Sequence, residues 1–206
     1  MSDPVTGSAA AAVRFDEAHR RRPDPWSVTT RWYEIRKRAV TLAALPDERY
    51  GRALELGCSI GVLAAELAGR CDELLAVDLS AEAVARAEAR LSTLASVTVR
   101  QHDVADGVPE GPFDLVVVSE MAYYLDPAVL ERAVDGLGRA LAPGGTVLAC
   151  HWLVDEPDFA QRAVAVHAAL DAGLGRRRIV HHEEADFVLD VWSDDPRSVA
   201  ERTGLR

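Results

Sequence analysis

Residues 52–61 read RALELGCSIG, and this stretch decides the fold. RALEL, at 52–56, is a short apolar run typical of a buried strand, and the helical pattern VLAAELAGR follows at 62–70. Between them, Gly57 and Gly61 allow the backbone to turn sharply. The stretch therefore predicts a strand, a glycine loop and a helix, which together form the first half of a βαβ unit.

The same alternation of strand and helix patterns continues along the chain. Further strands are predicted at 74–78, 96–103, 113–120, 146–152, 178–182 and 186–192, with helices from Ser80, from Asp126-Pro127 and over 158–173. Such alternation implies right-handed crossovers and a mostly parallel sheet. The last two strands are joined only by the turn at 183–185, so strand seven must run antiparallel. We predict an α/β fold: one doubly wound, seven-stranded, Rossmann-like domain.

The N-terminal region is predicted to precede this sheet as a separate helical layer. Residues 1–13 have the composition of a disordered lead-in, and residues 14–206 are assigned to the single domain. Helical patterns at 15–22 and 29–45 flank the rigid break Pro23-Asp24-Pro25-Trp26. We interpret residues 14–48 as a lid that folds over a ligand site.

Composition excludes several classes of protein. The chain has 206 residues and a formal net charge of −10, which argues against nucleic acid as a partner. No stretch is apolar enough for a signal peptide or membrane span, so no membrane partner is expected. The three cysteines form no CxxC pair, which argues against a disulfide framework or a zinc site. These features indicate a cytoplasmic protein.

The glycine loop indicates what kind of ligand binds. In a doubly wound sheet, ligands bind beyond the carboxyl ends of the strands, next to the first strand. The loop has the spacing G-x-x-x-G with Ser59 between the glycines, unlike the G-x-G-x-x-G of dinucleotide sites. Glu55 lies two residues before Gly57, where a carboxylate would repel a pyrophosphate and attract a cation.

Two more acids follow strands of the predicted sheet. Asp78 is placed to accept both hydroxyls of a ribose, and Asp103 to accept from an adenine amino group. A cation with a ribose and no phosphate fits these groups, which predicts S-adenosylmethionine as cofactor, S-adenosylhomocysteine as product and no metal. Leu79, Val104 and Ser119 are predicted to contact the cofactor as well. The alternatives are an NAD-dependent oxidoreductase and a loop that only turns the chain.

These segments resemble the class I S-adenosylmethionine-dependent methyltransferases over nearly the whole chain. Ser59 replaces the usual middle glycine of the first motif. In chain order, the matching segments are LELGCSIG, LLAVDLS, HDVAD, FDLVVVSEMAYYL and LAPGGTVLACHW.

A narrower resemblance is to the nodulation protein S family. It is carried by PDPW, WYEIRKRAVTLAALP, ALELGCSIGVL, SEMAYYL, CHW and VHHEEADFVLDVW. Enzymes of that family N-methylate the free amine of a deacetylated amino sugar. The resemblance therefore implies methyl transfer to an amine on a small acceptor, such as a deacetylated amino sugar or oligosaccharide. It does not imply a role in nodulation for this chain.

Four residues at strand ends are the candidate catalytic groups. Methyl transfer mainly requires alignment of donor and acceptor, and an amine acceptor must also arrive without its proton. Glu120 is predicted to orient the amine or take its proton, the alternative being a surface carboxylate or a helix cap. Tyr123 and Tyr124 are predicted to line the acceptor pocket and to face the sulfonium of the cofactor in a cation–π contact. One of the two is expected only to pack. His151 is the best-placed neutral base, with a structural histidine as the alternative.

The predicted lid supplies the last candidates. Trp32 is assigned to the cofactor site, and Arg36 or Arg31 to the methionine carboxylate, the alternative being a plain amphipathic helix. The run His181-His182-Glu183-Glu184 is interpreted as a solvated hairpin, because alternate strand residues point to opposite faces and cannot converge on one metal ion. The alternative is that one of the two histidines contacts the acceptor. An O-methyltransferase and a cofactor-binding protein without catalysis also remain open.

Overall fold

The computed structural model describes residues 8–206. Its strands are β1 (Tyr50–Leu56), β2 (Cys71–Asp78), β3 (Val97–Gln101), β4 (Phe113–Ser119), β5 (Leu141–Trp152), β6 (Arg177–Glu183) and β7 (Phe187–Ser193). Its helices are α1 (Ser8–Arg21), α2 (Trp32–Ala43), α3 (Val62–Leu67), α4 (Ala81–Leu91), α5 (Pro127–Ala140), α6 (Ala163–Gly173) and α7 (Val199–Arg202). Short 3-10 turns lie at Ala68–Arg70, Val104–Asp106 and Ala122–Tyr124.

All seven strands form one sheet in the order β3-β2-β1-β4-β5-β7-β6. Strands β1 to β5 pair in parallel, while β7 lies antiparallel between β5 and β6. Only residues 184–186 separate β6 from β7, which is too short for a crossover helix. The predicted α/β fold with a reversed seventh strand is confirmed. None of the described helices has the length and apolar character needed to span a membrane.

The central strands of the sheet are buried on both faces. One face packs against α5 and α6 around Phe113 and Trp192, and the other packs against α3 and α4 around Leu67 and Leu148. Because β1, β2 and β4 run parallel, their carboxyl ends lie at the same edge of the sheet, where the glycine loop also lies.

Several element boundaries differ from the sequence prediction. Helix α1 begins at Ser8, so residues 8–13 are helical and were wrongly assigned to the disordered lead-in; residues 1–7 lie outside the described part. Strand β5 begins at Leu141, five residues before the predicted 146, because the Pro143-Gly144-Gly145 segment forms an irregular part of the strand instead of a loop. Helix α6 begins at Ala163 instead of 158.

The helix starts follow local chemistry. Ser80 caps α4 as predicted, since its hydroxyl accepts from the Ala83 N–H at 3.1 Å. Pro127 is the first residue of α5, but the side chain of Asp126 makes no capping hydrogen bond. The break between α1 and α2 is held by Asp24, whose carboxylate accepts from the N–H groups of Val28 and Thr29.

Candidate functional site

The glycine loop is tightly packed against its own protein. Gly57 (φ 77°), Ser59 (φ 49°) and Gly61 (φ 75°) all adopt left-handed backbone conformations. A Cβ on Gly57 would lie 2.7 Å from the Cβ of Met121, and one on Gly61 would lie 2.9 Å from Leu91 Cδ1. Both glycines are therefore required by neighbouring side chains. Met121 therefore lies directly against the glycine loop. Because Met121 follows Glu120, the predicted catalytic segment and the loop are neighbours.

Asp78 holds the glycine loop in place. Its Oδ2 accepts from the Ser59 N–H at 2.8 Å, and its Oδ1 accepts from the Ser80 N–H at 2.9 Å. Burial raises the pKa of the Asp78 carboxyl, and the two backbone donors partly oppose that effect. The loop after β1 and the turn after β2 are thus fixed by one carboxylate at the expected ribose position.

Glu55 is a buried acid whose Oε2 has no hydrogen-bond partner among residues 8–206. It lies on β1, and its side chain is 2% exposed. Burial, followed by the charge of Asp78, raises the pKa of Glu55 to about 8. A carboxyl group in this state gains most from a nearby cation, so the residues present fit a positively charged ligand.

We expect Glu55→Gln to make the stability of the ligand-free protein less dependent on pH. The pKa of Glu55 is about 8 in the folded protein against an ordinary value of 4.5, so folded protein keeps a proton that the unfolded chain loses. Stability therefore falls as pH rises through this window, and the loss is complete above the folded pKa. Between pH 6 and pH 8 the wild type should lose about 2 kcal/mol that the variant retains. Urea unfolding at both pH values measures this, and equal losses would contradict it.

The third predicted acid is covered by the N-terminal helix. Asp103 follows β3; its Oδ1 accepts from the Ala105 N–H at 2.8 Å, and its Oδ2 accepts from the Ser8 hydroxyl. Further along α1, Asp16 accepts from the Ser80 hydroxyl at 2.6 Å. Helix α1 therefore packs against the strand ends that carry the predicted ribose and adenine contacts. Of the other predicted cofactor contacts, Val104 is buried beside Asp103, and Leu79 and Ser119 are half-buried at the ends of β2 and β4.

Glu120 is fully engaged by protein groups. Its backbone is left-handed at φ 55°, an uncommon conformation for this residue type. Its Oε1 accepts from the Lys37 ammonium at 2.6 Å, and its Oε2 accepts from the Tyr123 hydroxyl at 2.6 Å and the Trp152 N–H at 3.0 Å. The predicted acid is thus neither a surface carboxylate nor a helix cap. It is the centre of a network.

Lys37 is the functional candidate that the sequence analysis missed. Its buried ammonium lies 2.6 Å from Glu120, 3.1 Å from Glu34, and 4.9 Å and 5.8 Å from the ring centres of Tyr33 and Trp152. Burial acts to lower the pKa of the ammonium, but the two carboxylates outweigh it and the net pKa is raised. We call these five residues the lysine cage. A signal was available, because Lys37 is the sole lysine in a chain rich in arginine.

His151 is buried, and both its ring nitrogens are engaged. Its Nε2 accepts from the Ala122 N–H at 3.3 Å, and its Nδ1 lies 3.0 Å from Nε2 of His167. Burial holds its pKa well below the ordinary value, and the charge of Lys37 acts in the same direction. These contacts fit the alternative of a structural histidine, because neither ring nitrogen of His151 is free to act as a base.

The two tyrosines lie on the 3-10 turn Ala122–Tyr124 and have different surroundings. Tyr123 is buried and stacks on Phe159 at a centroid distance of 3.9 Å. Tyr124 meets Phe15 of α1 edge-on at 4.9 Å. Tyr124 thus packs under the N-terminal helix, while Tyr123 directs its hydroxyl to Glu120.

The two predicted cofactor contacts of the lid, Arg36 and Trp32, have different surroundings. Arg36 forms a two-pronged ion pair with Glu184 in the β6–β7 turn, at 2.7 and 2.8 Å. Its guanidinium is therefore paired within the protein, and its contact with a methionine carboxylate stays a prediction. Trp32 is 72% exposed at the start of α2, and Arg31 is also exposed. No group of three or more metal-ligating side chains is found within residues 8–206.

Comparison with known proteins identifies related sequences. Residues 15–151 match the family model of nodulation protein S (NodS). Nodulation protein S of Rhizobium tropici is 37% identical over 124 residues, which cover 59% of this chain and 52% of that protein. The protein of that name from Sinorhizobium fredii is 33% identical over 124 residues, 59% of this chain and 57% of its own. The chain thus spans little more than half the length of these curated relatives.

Solved structures show the same fold. A putative methyltransferase from Pseudomonas syringae is 48% identical, with a TM-score of 0.71, covering 79% of this chain and 99% of that one. The N-methyltransferase NodS from Bradyrhizobium japonicum, solved in complex with S-adenosylhomocysteine, has a TM-score of 0.77 at 23% identity. That alignment covers 88% of this chain and 98% of the other.

Proposed function

The chain belongs to the nodulation protein S family, and on that premise we propose that it is an S-adenosylmethionine-dependent methyltransferase. Its acceptor in this proposal is a free amine on a small molecule such as a deacetylated amino sugar or oligosaccharide. When bound, S-adenosylmethionine supplies a methyl group carried on a sulfonium sulfur. We place the reaction in the cytoplasm, in keeping with three buried cysteines that form no disulfide.

The main support for the proposal is the pair of acids beside the glycine loop, Glu55 and Asp78. The described part of the chain offers no hydrogen-bond partner to Oε2 of the buried Glu55, whose pKa is raised by burial and then by the charge of Asp78. A cationic ligand would relieve both acids, whereas the pyrophosphate of NAD would add charge of the same sign. We therefore favour S-adenosylmethionine over the dinucleotide alternative. Asp78 would hold its ribose and Asp103 its adenine.

The lysine cage supports an amine as the acceptor. Glu34, Lys37 and Glu120 together carry one net negative charge beside the Tyr123 hydroxyl. Because Tyr123 donates its only hydroxyl proton to Glu120, its oxygen can only accept from a further group, such as an amine N–H. Such a bond would orient the amine and leave its lone pair free to meet the methyl carbon.

We further propose that the acceptor amine enters the site already neutral. Glu120 is held by an ammonium and two hydrogen-bond donors, and His151 is buried, so neither is well placed to take a proton. An alcohol acceptor would need such a base, because its hydroxyl proton does not leave at neutral pH. This consideration favours N-methylation over O-methylation.

Labelled S-adenosylmethionine tests this function. We expect label transfer to a glucosamine oligomer with free amines and none to the fully N-acetylated oligomer, which serves as the control. Turnover should rise with pH until the acceptor amine is neutral and then level off. S-adenosylhomocysteine binding without transfer to any amine, hydroxyl or thiol would instead identify a non-catalytic binding protein. Absence of both binding and transfer would refute the proposal.

A further inference from the structure

A chain of buried polar side chains leads away from the 3-10 turn Ala122–Tyr124. His151 on β5, His167 on α6 and Asp190 on β7 are all buried, and we call them the histidine relay. Nδ1 of His151 lies 3.0 Å from Nε2 of His167, whose Nδ1 lies 2.6 Å from Oδ2 of Asp190. Buried polar groups stabilise a structure only when each of them has a hydrogen-bond partner. The contacts of the relay therefore constrain where its protons lie.

The neighbours of the relay determine where its protons lie. Because the Ala122 N–H donates to Nε2 of His151, that nitrogen carries the lone pair and Nδ1 carries the proton. His151 therefore donates to His167. By the same logic His167 donates from Nδ1 to the Asp190 carboxylate. A single assignment of protons satisfies all three side chains.

The outer end of the relay is held by two side chains of β6, His181 and Arg178. Oδ1 of Asp190 accepts from Nδ1 of His181 at 2.8 Å, and the Arg178 guanidinium lies 3.5 Å away. Burial acts to raise the pKa of Asp190, but hydrogen bonds from His167 and His181 outweigh it, and the net pKa is lowered. Asp190 therefore remains an acceptor for His167.

The inner end of the relay holds the turn that carries the tyrosines. Ala122 is the first residue of that turn, and its N–H is buried with His151 as its acceptor. Two residues earlier, Glu120 has a left-handed backbone, so the chain enters the turn through an uncommon conformation. Loss of the His151 acceptor would leave a buried donor unpaired where the backbone is already constrained.

We propose that the histidine relay is a positioning device in which Asp190, through His167 and His151, fixes the turn that presents Tyr123 to the acceptor. The contribution to turnover rests on the proposed function, whereas the ordering of the turn does not. Neither histidine contacts the acceptor in this proposal. Both act through the backbone of Ala122.

Two variants at one position test the relay. His167→Gln keeps an acceptor for His151 and a donor for Asp190, whereas His167→Leu keeps bulk and removes both. Amide hydrogen exchange of residues 120–125 should be about ten-fold faster in the Leu variant and within about two-fold of wild type in the Gln variant. With a glucosamine oligomer, kcat/KM should fall about 10- to 100-fold in the Leu variant only, at unchanged S-adenosylhomocysteine affinity.

The outcomes separate this inference from simple packing and from the proposed function. Equal impairment of both variants, or unchanged exchange in the Leu variant, would overturn the relay. If the Leu variant does not fold, nitrogen-15 spectra of wild-type histidines decide: an unprotonated Nε2 on His151 supports the assignment, and a protonated one overturns it. If exchange separates the variants while wild type methylates no amine, the relay stands and the proposed function fails.

Discussion

Replacing Asp78 by alanine should weaken S-adenosylhomocysteine binding by about 10²- to 10⁴-fold. The carboxylate lies where the ribose hydroxyls are expected, and each hydrogen bond to a charged acceptor contributes about 1.5–3 kcal/mol. It also holds the N–H groups of Ser59 and Ser80, so its loss loosens the glycine loop as well. Calorimetric titration of the folded variant measures the change in affinity.

Two controls isolate the role of Asp78 in binding. Asp72 is an exposed residue of the same strand, and its carboxylate pairs with the exposed Arg49. Asp72→Ala should therefore leave the affinity unchanged. Asp78→Asn keeps an oxygen for one backbone donor and removes the charge, so its affinity should fall between wild type and the Ala variant. An Asp78→Ala variant that binds within about three-fold of wild type would show that the ribose lies elsewhere.

Features set by local sequence were predictable. The run LLAVD places Asp78 at the end of a strand, and Ser80 follows as a helix cap because its side chain suits that position. The short turn after β6 forces the reversed strand in the same way. In each case a few consecutive residues determine the outcome, and the carboxyl ends of parallel strands then bring Glu55 and Asp78 to one edge.

The partners of the acceptor site were not predictable, because they are distant in sequence. Lys37 and Glu120 are separated by 83 positions, and which residue of α2 faces inward depends on how that helix lies on the sheet. Adjacent helix residues point about 100° apart, so Arg36 reaches the half-buried Glu184 while Lys37 enters the cage. His151 was predicted as a base for the same reason, since nothing near it in sequence reveals its contact with His167.

Lys37→Met should destabilise the protein by about 3–5 kcal/mol at neutral pH. The change keeps the length of the side chain but removes the cation between the carboxylates of Glu34 and Glu120, both of which are largely covered. Breaking a buried pair by removing one partner leaves an uncompensated charge, which is the costly case.

A double-mutant cycle identifies the cause of that loss. Glu120→Gln in the Lys37→Met background removes the second charge and should recover part of the stability, whereas two independent sites would give additive losses. Lys37→Arg keeps the charge but places a broad planar group in a cage sized for an ammonium, so it should be intermediate. Urea unfolding at pH 5 and pH 8 provides the free energies.

Since the cage lies on the acceptor side, affinity for S-adenosylhomocysteine should stay within about three-fold of wild type in all variants that fold. A Lys37→Met cost below about 1 kcal/mol would place the pair in the class of exposed ion pairs and remove the basis for the charged acceptor site.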